Sequence, residues 1–494
     1  MSCPSEMDFN EGYYKKLMDG LEFQEVRYSD LEYSGRIDAE YYQKIHLAYE
    51  EIVGNRENDK LSNVADFLIG PFGSAYDTSN YTTIPDFRYV RGQDVKPFIL
   101  SNIEPKYITE TDYNRLSKYA LKANDILVSV VGTLGNACLI REKELPAIFS
   151  CKSTVIRARS VNPYYLTCYL NSKYGKGLLL RQERGAIQKG LNLDDLKMLN
   201  IPIFSNELQN ICEQSVIKAR KLIDESALFY SEAESLLLHI LQLEDFQPED
   251  ETYSIKSFKN SFGSTGRIDA EFYQPYYDEL EKKVKSNGFV TASEICSLIN
   301  YGTVPTSPYT EDGSGIPYIK GMNVKNVEVQ NENLDRIINT KDLPEKFYTK
   351  AGDIIISQMG TVADCGVVDE TQEDWLFASF TIRLRLKNLK AFNPYFVGLY
   401  IQKLAKRYYF QRYIAQASVR QNTDLPTVNN LFIPIVDIEM QNKIANKLKE
   451  SKRKKEESKL LLNDVVRFVE TAIEQGEEAA LKKFLGKHKK FFYL

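Results

Sequence analysis

Asp86 in Pro85-Asp86, together with Asp94 and Lys96 in Asp94-Val95-Lys96, is the set of side chains in this sequence most like a metal-dependent nuclease centre. Two carboxylates and a lysine of that kind would hold a divalent cation and the attacking water. The spacing is short, and the matching stretch further along reads Asn323-Val324-Lys325 with no Pro-Asp partner. A duplicated metal site is expected to keep its ligands in at least one copy. The seven cysteines (Cys3, Cys138, Cys151, Cys168, Cys212, Cys296, Cys365) form no C-x-x-C pair, and there are three histidines, so no Cys/His zinc site is expected. Unpaired cysteines fit a reducing, cytoplasmic setting.

A second set of candidates is Asn162-Pro163-Tyr164-Tyr165 and Asn393-Pro394-Tyr395-Phe396. Both approximate the N-P-P-[YF] loop of adenine-N6 DNA methyltransferases, and both lack its second proline. No Gly-rich strand-to-helix turn is present to hold S-adenosylmethionine. A plainer reading covers them: Asn caps a helix, and Pro takes the first helical position, where its missing N–H costs nothing. The sequence also shows no P-loop and no Ser/His/Asp arrangement. No catalytic residue and no metal ligand is therefore assigned.

The elements that would position these residues are duplicated. Gly35-Arg36-Ile37-Asp38-Ala39-Glu40-Tyr41-Tyr42-Gln43 returns as Gly266-Arg267-Ile268-Asp269-Ala270-Glu271-Phe272-Tyr273-Gln274, a displacement of 266 − 35 = 231 residues. That period is domain-sized and too long for a solenoid. Tyr89-Val90-Arg91-Gly92-Gln93-Asp94-Val95-Lys96 matches Tyr318-Ile319-Lys320-Gly321-Met322-Asn323-Val324-Lys325. Asn124-Asp125-Ile126-Leu127-Val128-Ser129 matches Gly352-Asp353-Ile354-Ile355-Ile356-Ser357. Ile201-Pro202-Ile203 matches Ile433-Pro434-Ile435, and Glu207-Leu208-Gln209-Asn210 matches Glu439-Met440-Gln441-Asn442. The copies agree at framework positions and differ between them, as one scaffold carrying two surfaces would.

Spacing predicts helices from Ile37 to Val53, with Ile37, Tyr41, Ile45, Tyr49 and Ile52 on one face, and along Ile268, Phe272, Tyr276, Leu280 and Val284. Residues 61–160 read as short strands and turns, with a buried strand from Asp125 to Val131. Ala219, Leu222, Ser226, Phe229, Ala233, Leu236 and Ile240 form the stripe of a long helix. Ile444, Leu448, Ser451, Ser458, Leu462, Val465 and Val469 form that of a second, interrupted by Lys455. Each stripe needs a partner, so an antiparallel pair is expected. The tail from Lys482 to Lys490 is basic and reads as a solvated terminus. The chain has 494 residues and a net charge of −5. Residues 61–200 hold 18 Lys and Arg against 13 Asp and Glu, so the acidic excess lies largely outside the first body. Local charge, which decides nucleic-acid binding, is thus compatible with a basic groove. The first residues show no secretion signal and no apolar run approaches 18 residues, so no membrane span is expected.

This ordered set of landmarks, over roughly residues 35–475, resembles the specificity subunit of type I restriction–modification enzymes. The resemblance implies an α+β chain of two pseudo-repeated mixed α/β target-recognition domains separated by a pair of long antiparallel coiled-coil helices. The divisions expected are a leader at 1–34, a first domain at 35–204, a first spacer helix at 205–246 and a connection at 247–265. A second domain at 266–436, a second spacer helix at 437–476 and the tail at 477–494 follow. It implies a non-catalytic subunit that reads a two-part target in double-stranded DNA. Methyltransferase subunits would dock on the spacer and carry S-adenosylmethionine, with none bound by this chain, and a restriction subunit can join. Base reading needs polar side chains at groove edges. The candidates are Ser74, Tyr76, Arg91, Gln93, Lys96, Gln188, Lys189 and Asn192 in the first domain. In the second they are Thr303, Thr306, Tyr309, Lys320, Asn323, Lys325, Arg420, Gln421 and Asn422. Arg36 with Asp38 and Arg267 with Asp269 are expected to be structural pairs. An enzyme acting on DNA itself, and a coiled-coil scaffold with no DNA role, remain as alternatives on sequence alone.

Overall fold

The computed structural model describes residues 10–185, 189–246, 253–286, 288–338, 343–414 and 422–489. The chain divides into two compact units, residues 1–221 with 457–494, and residues 222–456. No helix among the described residues is long and apolar enough to cross a membrane.

In the first unit a sheet runs in the order Ala65–Ile69, Ser153–Ala158, Ile126–Ser129, Ala137–Leu139, all neighbours antiparallel. Ile126 and Val128 face one apolar cluster, and Leu127 faces another. Both faces are buried, so the strand reads as a continuous apolar run instead of alternating. The second unit has the order Cys296–Tyr301, Thr381–Leu386, Ile354–Ser357, Cys365–Val367, followed by Val327–Val329 and Val324–Lys325. Register coincides between the two sheets. Thr154 faces Ile69 and Ser153 faces Ser129, while Ile382 faces Tyr301 and Thr381 faces Ser357. Each unit adds a three-stranded sheet, one built on Phe87–Val90 and one on Ile316–Ile319.

A buried carboxylate holds each main sheet at one end. Asp125 accepts two hydrogen bonds from Arg157, at 2.8 and 3.0 Å, and one from the Lys122 amide. Asp353 accepts two from Arg385, both at 2.7 Å, and one from the Lys350 amide, with the fully buried Arg383 beside it. The residue before each Asp sits at positive φ, and Asn124 and Gly352 are residues that tolerate it.

Asn162 and Asn393 are helix N-caps, accepting from the amides of Tyr164 and Tyr395 at 2.9 and 3.0 Å. Their own amides donate to Gln209 and Gln441, at 2.7 and 2.8 Å. The repeated glutamines therefore join each capped helix to the start of a long helix. The long helices are Asn206–Ile240 and Ile438–Gln475. Within the second unit they run antiparallel, through Glu225–Lys454, Ser226–Ser451 and Glu232–Lys447. Ser226 and Ser451 each donate to the other's backbone carbonyl, at 2.7 and 2.8 Å. Within the first unit Ser458 donates to the Ala219 carbonyl at 2.7 Å.

Several expectations need correction. The helices after the repeated motif begin at Lys44 and Pro275, with Gln43 and Gln274 in extended N-cap positions, so Ile37 and Ile268 are almost fully exposed. On the first long helix the buried stripe drifts to Leu237 and Leu241, away from Leu236 and Ile240, because 3.6 residues per turn outruns a strict three–four spacing. Lys455 lies off the second stripe, paired with Glu328. The basic tail forms the helix Glu477–Lys487, whose Ala480 and Phe484 are buried in the first unit's core.

The nine-residue motif is a joint. Gly35 and Gly266 end short helices in the left-handed conformation, at φ 63° and 70°. Arg36 then forks onto Asp38 at 2.6 and 2.5 Å, and Arg267 onto Asp269 at 2.8 and 2.6 Å. Tyr42 and Tyr273 hydroxyls donate back to the Arg36 and Arg267 carbonyls. Hydrogen bonds from the arginines hold both carboxyls below the ordinary carboxylate range.

Asp353→Ala should lower stability by about 3–5 kcal/mol, since it leaves Arg383 and Arg385 uncompensated. Asp125→Ala should cost less, because Arg157 is a third exposed. Thermal unfolding of the full chain checks both, and equal midpoints for all three proteins would contradict the assignment. A depressed carboxyl stabilises the fold above its unfolded pKa and loses that contribution as pH falls through its folded one. Asp38→Asn with Asp269→Asn should therefore melt lower than the parent at neutral pH, with the difference closing in acid below the ordinary carboxylate range. A difference that widened in acid would have the wrong sign.

Candidate nucleic-acid interface

At the other end of each main sheet, five backbone segments meet. In the first unit the strand Ala65–Ile69 runs into Gly70-Pro71-Phe72-Gly73-Ser74. A Cβ at Gly70 would lie 2.5 Å from the Ser150 carbonyl oxygen, so this segment is pressed against 150–152. The Ser150 amide donates to the Val90 carbonyl at 2.9 Å, which brings in the turn 91–96. The Val130 amide donates to the Lys152 carbonyl at 3.0 Å, and the Leu191 amide to the Val130 carbonyl at 2.9 Å. The loops 130–135 and 189–192 therefore complete the rim. Its exposed side chains include Phe72, Ser74, Gln93, Lys96, Thr133 and Lys152.

The second unit builds the same rim. Gly302 lies against the carbonyls of Phe377 and Ala378, where a Cβ would come within 2.1 and 2.4 Å. The Ala378 amide donates to the Ile319 carbonyl at 2.8 Å, bringing in the turn 320–325. The Gln358 amide donates to the Phe380 carbonyl at 3.0 Å, and the Thr423 amide to the Gln358 carbonyl at 3.1 Å. Exposed here are Val304, Tyr309, Met322, Thr361 and Phe380.

The residues singled out from sequence divide between the rim and the framework beneath it. Ser74, Gln93, Lys96, Lys189 and Asn192 are exposed, with Lys189 paired to Glu183. Tyr309 is exposed, while Thr306, Lys325 and Asn422 are partly so. Gln188, Arg420 and Gln421 lie outside the described residues. Five expectations are overturned as free contacts. Tyr76 is buried in a cluster with Tyr81 and Tyr89, and burial pushes its phenol up to about 12. Arg91 forks onto Asp94 at 3.1 and 2.8 Å and donates to the Glu104 carbonyl. Thr303 is buried, its carbonyl accepting from the Tyr318 hydroxyl. Lys320 is paired with Asp335 and lies 4.1 Å over the Tyr309 ring. Asn323 is buried and caps the Lys320 amide at 2.9 Å. The repeated turns use Arg91 with Asp94, and Lys320 with Asn323, internally.

The chemistry weighed first does not assemble. The Asp94 carboxylate is spent on Arg91, and Asp86 stands exposed. Tyr165 and Phe396 are wholly buried, with the Tyr165 hydroxyl on the Pro202 carbonyl at 2.5 Å. Sequence reasoning passed over Phe72, Val304, Met322 and Phe380 because it sought polar residues in loops, and Lys152 because it lies outside the repeated landmarks. The available signal was an unlike pair between framework positions that match, as with Gln93 and Met322.

Residues 284–463 match the family model of the type I restriction modification DNA specificity domain, which bears out the resemblance carried by the repeated landmarks. A comparison with curated proteins finds no match. Among solved structures, the S subunit of a type I restriction–modification system from M. genitalium is similar at 13% identity and TM-score 0.44, over 84% of this chain and 94% of that one. The HsdS subunit from Thermoanaerobacter tengcongensis is similar at 17% identity and TM-score 0.28, over 85% and 97%. A structure from work on complex assembly and conformational transition of the type I R-M system is similar at 16% identity and TM-score 0.30, over 85% and 98%.

The Tyr76 hydroxyl is buried without a hydrogen-bond partner. Tyr76→Phe should therefore change stability by no more than about 0.5 kcal/mol, while Asp94→Ala, which strips Arg91 of its fork, should cost about 1–3 kcal/mol. Thermal unfolding separates the two, and a costly Tyr76→Phe would return that hydroxyl to a polar role.

Proposed function

We propose that this chain is the DNA-sequence-reading subunit of a type I restriction–modification system. It recognises a two-part target in double-stranded DNA, one part for each of two pseudo-repeated mixed α/β domains joined by the long-helix pair. It directs partner adenine-N6 methyltransferase subunits, which hold S-adenosylmethionine, to that target, and a restriction subunit can join. The chain itself supplies no catalytic residue and binds no cofactor, and it works in the cytoplasm. The expected domains are 35–204 and 266–436, with spacer helices at 205–246 and 437–476.

The observation that carries this reading is the match of residues 284–463 to a DNA specificity domain. Support comes from the rim that the first unit builds on the same backbone plan with different exposed side chains. A reader of two unlike half-sites needs that combination: fixed backbone positioning, with the base-edge contacts left free to differ.

Mapping base modification in the genome of the source cell, with and without this gene, tests the proposal. The expected result is loss of N6-methyladenine at one motif made of two short halves around an unspecified gap. An unchanged methylation pattern, with the partner methyltransferase present and active, would contradict it.

A further inference from the structure

Three rim positions can be matched between the units by backbone register. Gln93 and Met322 each follow the glycine of a repeated turn. Lys152 and Phe380 each stand immediately before a central strand, Ser153–Ala158 and Thr381–Leu386. Phe72 and Val304 each lie two residues beyond a glycine pressed on the backbone before that strand. The first unit thus offers an aromatic ring, an amide and an ammonium group. The second offers only apolar groups, with Val304, Met322 and Phe380 exposed by 67%, 71% and 61%.

One exposed apolar side chain needs no explanation. Three at matched rim positions, on segments hydrogen-bonded to one another, put exposed apolar groups at one end of the sheet, and apolar surface exposed in this way marks interaction sites. All three lie within residues 284–463, the segment matched to a DNA specificity domain. Valine, methionine and phenylalanine cannot hydrogen-bond a base edge. In the major groove the one apolar feature of a base edge is the C5 methyl of thymine. An amide and an ammonium, by contrast, suit the N6/N7 edge of adenine and the O6/N7 edge of guanine.

We infer that Val304, Met322 and Phe380 read thymine methyl groups in the half-site of the second unit, while Gln93 and Lys152 of the first unit read by hydrogen bonding. This rests on the DNA-reading function proposed above and assigns the chemistry of each half. The apolar trio selects thymine by contact area and by rejecting bases whose polar edges would be left unpaired against it.

The test uses the full chain with its partner methyltransferase and duplexes carrying the methylated motif. Deoxyuridine replaces thymidine in one half at a time, which removes the methyl group and leaves base pairing intact. The second unit's half-site is the half whose recognition Met322→Ala weakens. There each deoxyuridine should weaken binding about fourfold, the effect of one buried methyl group. In the Met322→Ala, Phe380→Ala double variant that penalty should vanish at the thymines these two residues read and persist only where Val304 makes the contact, with the melting temperature unchanged. Deoxyuridine in the other half should change binding less than twofold. Equal binding of thymine and deoxyuridine in both halves would overturn the inference. So would a half-site without thymine, or a double variant that recognises both halves as the parent does. Absence of sequence-dependent binding to either half would instead sink the DNA-reading function itself.

Discussion

An aromatic ring held between two guanidinium groups fixes each unit's repeated motif to its body. Tyr41 has Arg36 at 4.8 Å and Arg181 at 4.1 Å from its ring centre. Phe272 has Arg267 at 4.5 Å and Arg412 at 4.6 Å. Each contact is worth about 0.5–1 kcal/mol where exposed and about 2 when desolvated. The four cations do not repel their way out, because each is also paired: Arg36 with Asp38, Arg181 with Glu50, Arg267 with Asp269, and Arg412 with Asp278 and Glu281. The ring face is what the joint requires. That is why the one difference between the two nine-residue copies, Tyr41 against Phe272, costs nothing.

From that joint the framework runs inward through groups with no freedom left. The Asp125 and Asp353 forks hold one end of each main sheet, and Gln209 and Gln441 join the capped helices to the long ones. Several repeated polar residues are consumed in this way, whereas Lys96 with Lys325 and Thr133 with Thr361 stay at the rim. What remains free lies at the opposite sheet end, in loops whose backbone bonds are the same in both units. A rigid scaffold with adaptable loops is the usual arrangement for recognition. It lets the exposed side chains change without disturbing the sheet.

The sequence disclosed the repeat, the buried strands at Ile126 and Ile354, the Asn caps and the existence of two long helices, because each rests on local spacing or on a residue with one conformational use. It misplaced what tertiary contact decides. Ile37 and Ile268 fit a helical stripe, yet the regular helices start only after Gln43 and Gln274, beyond the arginine forks and a short turn. The basic tail looked solvated, but Phe484 finds an apolar pocket beside Phe468. Among the candidate contacts, Arg91, Lys320 and Asn323 have the right chemistry for DNA and are used up within their own turns. Met322 and Phe380 were passed over since an apolar residue reads as core until its exposure is known.

The most direct measurement is site-specific photocrosslinking to a duplex carrying the methylated motif, with a photoreactive side chain placed at position 93 or at position 322. The expected result is two separate labels, position 93 marking bases of one half and position 322 marking bases of the other. Labels from both positions in the same half, or in neither, would contradict a reader that uses one rim for each half-site.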